Sequence, residues 1–150
     1  MTETSHDIRT LNSLIATTID SIDGYEESAK AVDSGRFSEL FRARANERRQ
    51  VVGQLRGEVS RLGGNAEDDG TLLAGAHRAF LDLKATVATR DDQAVITEVE
   101  RGEDHIKAKF EDALKDDTLS PESRAVVESA FQSVRSGHDQ MRDLKHGITA

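Results

Sequence analysis

The sequence predicts an all-α protein, a four-helix bundle with a shorter fifth helix in the connection between the second and third long helices. Three observations carry this. Residues 7–32, 36–62, 92–115 and 121–145 each show apolar side chains recurring at three- and four-residue spacing, the signature of a helix with one buried face. A single proline among 150 residues, with no alternating β-branched run, leaves no candidate strand. The breaks between the long stretches carry helix stop and start signals.

The first helix places Ile8, Leu11, Ile15, Ile19, Ile22, Ala29 and Val32 on one stripe. It stops at Asp33-Ser34-Gly35, where Ser34 can cap the next helix and the short loop forces an antiparallel hairpin. The second helix runs through Leu40, Phe41, Val51, Val52, Leu55, Val59 and Leu62 to a glycine stop at Gly63-Gly64. After a polar run from Asn65 to Gly70, residues 71–89 place Leu72, Leu73, Ala76, Phe80, Leu83 and Val87 on one face of a shorter amphipathic helix. Asp91 and Asp92 suit the start of the third long helix, which carries Val95, Ile96, Val99, Ile106, Phe110 and Leu114. Ser120-Pro121 then gives a capping hydroxyl followed by proline at the first helical position, opening a fourth helix with Val126, Val127, Ala130, Phe131, Val134, Met141 and Leu144 inward. A short helix between two long hairpins is the connection a bundle needs when its second and third long helices run parallel, as in ferritin-like folds with one long crossover. The tails before Asp7 and after Lys145 are expected to fray.

Composition narrows the chemistry. The chain reads as a single domain over 1–150, long enough for one core. With no cysteine, disulfides, thiolate metal sites, Fe–S clusters and cysteine nucleophiles are excluded. A formal charge of −8 disfavours nucleic acid as a partner. No apolar run is long enough to span a bilayer and the N-terminus lacks an apolar leader, so a cytoplasmic protein is expected. There is no Gly-x-Ser-x-Gly turn and no phosphate loop.

Placing residues at about 100° per position shows which polar side chains share the buried stripes. Tyr25 and Glu26, with Thr18, fall near it on the first helix, whereas Asp20, Asp23 and Glu27 point away. Arg44 and Arg48 lie at the centre of the second helix's apolar face, Glu103 at that of the third, and His138 beside Val134 and Met141 on the fourth. The expected constellation is Tyr25, Glu26, Arg44, Arg48, Glu103 and His138. Its leading reading is a neutralised polar network, because two guanidiniums balance two carboxylates in the forked geometry that makes burial tolerable. The alternative is a metal site, with Glu26, Glu47, Glu100, Glu103 and His138 as ligands for iron, manganese or zinc.

The pattern of a di-iron bundle, a Glu from each of two helices and Glu-x-x-His from each of the others, is degraded here. Glu47-x-x-Gln50 has an amide in place of the imidazole, and Arg135-x-x-His138 has a cation in place of the carboxylate. Two inward arginines would also repel a divalent ion. His77, His105 and His146 lie away from the stripe centres, and Glu100, Asp104, Lys107 and Glu111 form a charged ladder on the third helix. Gly137 lies near a buried face, where close helix packing offsets its low helix propensity.

Leu11-Asn12-Ser13-Leu14-Ile15, the Gly24-Tyr25 pair, Arg61-Leu62-Gly63-Gly64, the run His77 to Lys84, Glu100-Arg101-Gly102-Glu103-Asp104 and His138-Asp139 carry a family likeness. Over residues 8–145 the chain resembles bacterial four-helix-bundle proteins of unknown function in the ferritin-like superfamily. The resemblance implies a ferritin-like fold with the 71–89 segment as crossover, in cytoplasmic proteins some of which are linked to stress responses. It implies no agreed activity, and Gln50 and Arg135 depart from the metal-binding members. The expected function is therefore non-catalytic, a stress-associated binding or scaffold role without cofactor. A metal-dependent, peroxide-handling oxidoreductase is the alternative. A protein partner or self-association through Leu72, Phe80 and Leu83 of the crossover helix is a third expectation.

Overall fold

A computed structural model of the chain describes residues 2–67 and 92–149, with side chains over 4–67 and 92–146. The described residues form four α-helices and no strand: α1 Thr2–Ala31, α2 Gly35–Arg61, α3 Asp92–Leu114 and α4 Pro121–Thr149. The crossover helix expected over 71–89, and the partner surface expected on it, lie outside the described residues.

The signals at the breaks act as their chemistry dictates. Ser34 sits in extended conformation (φ −72°, ψ 121°) and its hydroxyl accepts from the Phe37 N–H at 3.4 Å, capping α2. At the other end, Gly63 adopts φ +82°, and the Gly63 and Gly64 N–H groups donate back to the Ser60 and Val59 carbonyls. That paired closure needs a left-handed residue, which glycine supplies without a Cβ clash. Ser120 Oγ accepts from Ser123 N–H at 3.3 Å just before Pro121 opens α4.

Contacts at the two ends fix the helix directions. The Asp92 carboxylate at the start of α3 accepts from the backbone N–H groups of Asp33 and Ser34 at 3.0 and 3.3 Å. At the opposite end, Asp7 near the start of α1 accepts from Ser120 N–H at 3.2 Å, and His6 pairs with Asp116 after α3. So α1 runs from the Ser120 end to the Asp92 end, α2 returns, α3 runs parallel to α2, and α4 runs parallel to α1. Both α1 and α4 pack on α2 and α3, which leaves α2 and α3 at diagonal corners. Inside the ring lie Leu11, Ile15, Phe41, Leu55, Ile96, Ile106, Phe110, Val134 and Met141, all fully buried.

The ends differ from expectation. Instead of fraying before Asp7, α1 begins at Thr2, and α4 continues past Lys145 to Thr149. Tertiary partners explain both: Asp7 is buried against Ser120, His6 pairs with Asp116, and Lys145 Nζ donates to Glu100 Oε2 at 2.7 Å. Among the described residues, no helix is long and apolar enough to cross a membrane.

Candidate functional site

A polar layer crosses the bundle at mid-height, with a contributor from each helix. Arg48 enters it because Phe41 and Ala45 lie seven and three residues before it and Val51, Val52 and Leu55 three, four and seven after, so the α2 stripe carries it inward. Its side chain is wholly buried. Glu103 occupies the same position on the α3 stripe, between Ile96, Ile106 and Phe110, and is 2% exposed. The two meet across the diagonal.

Arg48 Nη2 donates to Glu103 Oε2 at 2.7 Å, and Nη1 donates to Ser21 Oγ on α1 at 2.7 Å. The other carboxylate oxygen, Glu103 Oε1, accepts from the Tyr25 hydroxyl at 2.7 Å. The Arg48 Cζ also stands 5.6 Å from the centroid of the Tyr25 ring, an attractive cation–π position. From α4 comes an absence of side chain. A Cβ on Gly137 would fall well inside contact distance of Arg48 Nη2 and 3.2 Å from Glu103 Oε2, so the glycine clears the space that the ion pair fills.

The electrostatics follow from burial. Two charges removed from water cost several kcal/mol each, roughly, which only close pairing and complete hydrogen bonding repay. Burial works against the Arg48 charge, but the Glu103 carboxylate and the hydrogen bond to it outweigh that and hold the guanidinium above its usual range. Tyr25 is pushed well above the usual phenol range, first by burial and then by the negative charge of Glu103 beside it. Arg48 Nε has no hydrogen-bond partner among the described residues, a remaining cost of the arrangement.

Tyr25 offers a direct readout, because it is the one tyrosine in the chain and tryptophan is absent. A phenol whose folded pKa is raised contributes stability that is complete below its unfolded value near 10 and is lost as pH rises through the folded value. Tyrosinate absorbance is therefore expected to be missing from the folded protein at about pH 10 and to appear together with the loss of the helical circular-dichroism signal. Ordinary ionisation near pH 10 with helicity intact would place Tyr25 in water.

The remaining expected residues separate from this layer. Arg44 joins a polar seam between α2 and α4, donating to Gln140 Oε1 and Glu47 Oε2, each at 2.6 Å, and to the Ser136 carbonyl at 3.4 Å. Glu47 in turn accepts from the Ser133 hydroxyl. His138 turns to the α3–α4 edge, its Nε2 2.6 Å from Asp104 Oδ1 and its Nδ1 3.3 Å from Asp139 Oδ1. The hydrogen bond to His138, and then Arg142 nearby, hold the Asp139 carboxyl below its usual range. Glu26 is a correction: its side chain is 41% exposed and pairs with Arg49 at the surface. The buried stripe of α1 runs through Leu11, Ile15, Thr18, Ile22, Tyr25 and Ala29, and Glu26 stands about 100° round from Tyr25.

Sequence reasoning missed Ser21, Asp7 and Glu58. Glu58, 4% exposed, accepts from Arg61 Nε and Nη2 at 2.7 and 2.6 Å and from Ser123 Oγ at 2.7 Å. The Arg61 hydrogen bonds hold its carboxyl below the usual range. A signal was available, since Glu58 follows Leu55 by three residues and adjoins Val59 on the same stripe.

The acidic residues and histidine named for a metal do not converge. Glu26 is taken by Arg49, Glu47 by Arg44, Glu100 by Lys145, Glu103 by Arg48, and His138 by Asp104. Among the described residues no three His, Asp or Glu side chains are grouped to hold an ion. As arranged here, the donor set does not fit iron or manganese.

Ser21, Tyr25, Arg48 and Glu103 all lie within residues 6–116, which match a family described as a domain of unknown function, DUF2383, whereas Gly137 and His138 lie beyond that span. No curated protein matches the chain. Because the match covers most of its length, the chain belongs to the DUF2383 family.

Proposed function

We propose that this protein is a non-catalytic, ferritin-like helical bundle of the bacterial cytoplasm, with a stress-associated binding or scaffold role, and that a fixed ion pair occupies its interior in place of a di-iron site. The observation that carries the reading is Arg48, wholly buried, with its guanidinium 2.7 Å from Glu103 at the level where an inward carboxylate would otherwise recruit a cation. Both Glu103 oxygens are engaged, one by Arg48 and one by Tyr25. The ferritin-like part is supported by the arrangement of the described helices, since α2 and α3 run parallel at diagonal corners as the second and third long helices of ferritin-like bundles do. The bacterial, cytoplasmic and stress-linked parts are supported by the resemblance of the sequence motifs.

Metal content tests it. Protein purified without chelator, exposed to ferrous iron or manganese and then desalted, is expected to retain far less than one equivalent. Stoichiometric metal that is lost in His138→Ala would overturn the reading in favour of a metal-dependent oxidoreductase.

A further inference from the structure

We propose that the middle of the bundle is a guanidinium-binding site whose resident ligand is the chain's own Arg48 head group. The proposal rests on the placement of Arg48 just described and goes further: the surrounding cradle is selective for a planar forked cation and accepts one from solution when the side chain is cut back. Four features build the cradle. Glu103 Oε2 and Ser21 Oγ each stand 2.7 Å from a different terminal nitrogen, so the two acceptors are spread as a guanidinium fork requires. The Tyr25 hydroxyl holds the carboxylate by its other oxygen at 2.7 Å, fixing its orientation. The Tyr25 ring presents its face 5.6 Å from Cζ, and the bare backbone at Gly137 leaves room for the terminal nitrogen.

The same geometry discriminates among cations. An ammonium is a compact point charge that cannot engage both acceptors at once in the manner of a fork. A divalent metal ion demands several oxygen or nitrogen ligands around one point, whereas the cradle offers one carboxylate and two neutral hydroxyls. Arg48 Nε makes no hydrogen bond among the described residues, so the fork is held through its two terminal nitrogens. An alkyl guanidinium that refills the space of the removed stem buries more apolar surface than guanidinium and is favoured over it.

Arg48→Ala removes a fragment equivalent to ethylguanidinium, which becomes the probe. Thermal unfolding of Arg48→Ala is followed with ethylguanidinium, guanidinium, ethylammonium or manganese, each at low millimolar concentration. Ethylguanidinium is expected to raise the midpoint saturably, by roughly 3–6 °C at about tenfold above its Kd. Guanidinium should act more weakly, and ethylammonium and manganese not at all. In Arg48→Ala/Glu103→Gln the ethylguanidinium effect should vanish. If Arg48→Ala does not fold alone, recovery of its helical signal on adding ethylguanidinium is the corresponding result. No stabilisation or recovery, equal effects of ethylammonium or manganese, or an undiminished effect in the double variant would each overturn the site. Metal uptake by the wild-type protein would sink the functional reading without bearing on this result, so the two can fail separately.

Discussion

Glu103→Ala is expected to destabilise the fold by about 3–5 kcal/mol, the cost of stranding a buried charge rather than the worth of one contact. Arg48 is wholly buried, and without Glu103 its guanidinium would keep only the Ser21 hydroxyl at 2.7 Å. The Tyr25 hydroxyl would lose its acceptor in the same step. The guanidinium cannot shed its proton at any pH the fold survives, so the remaining responses are to admit water or to unfold. Urea unfolding at neutral pH measures the loss, with Glu26→Ala as the matched control. The Glu26–Arg49 pair is solvated on both sides, with side chains 41% and 48% exposed. Its removal is expected to cost less than about 1 kcal/mol. A midpoint change in Glu103→Ala as small as that of the control would mean that Arg48 is not buried.

Gly137→Ala is the second large effect, and its sign separates it from other helical glycines. Alanine normally stabilises a helix interior by about 1 kcal/mol over glycine. Gly53, Gly57 and Gly102 have nothing within 4 Å of a built Cβ, so alanine at those positions is expected to stabilise. At Gly137 the new methyl group would meet Arg48 Nη2. A terminal guanidinium nitrogen can usually swing aside, but this one is held by Glu103 while its neighbour is held by Ser21, and the whole side chain is buried. Overpacking of this kind costs roughly 1–3 kcal/mol, enough to outweigh the propensity gain. The same unfolding series measures it, and stabilisation at Gly137 to match Gly102 would show that nothing fills the space.

The helices were legible because each is long and periodic and because the stops and starts, Ser34, Gly63 and Ser120-Pro121, act within one turn of the chain. Arg48, Glu103 and Tyr25 were legible as inward residues for the same reason, since each sits amid apolar neighbours three and four positions away. What periodicity does not encode is axial register between helices. That is why His138, one residue from Gly137, was grouped with Arg48 and Glu103, whereas the glycine faces the ion pair and the imidazole turns toward Asp104. Arg44 was assigned to the same network as Arg48, but one turn along α2 brings it level with Gln140 and Ser136 instead. Ser21 escaped notice because a small, half-buried hydroxyl at the margin of the apolar stripe gives no charge signal, although it lies one turn before Tyr25. Asp7 and Glu58 gain their burial from the bundle end, where residues distant in sequence, Ser120 and Ser123, close over them.

The most direct test of the central claim, that a guanidinium occupies the middle of this bundle, is a crystal structure from protein grown with excess manganese. The expected result is Arg48 forked between Glu103 and Ser21, with Tyr25 on the far carboxylate oxygen and no anomalous signal at Glu103. Arg48 extended into solvent, with manganese coordinated by Glu103, would contradict it.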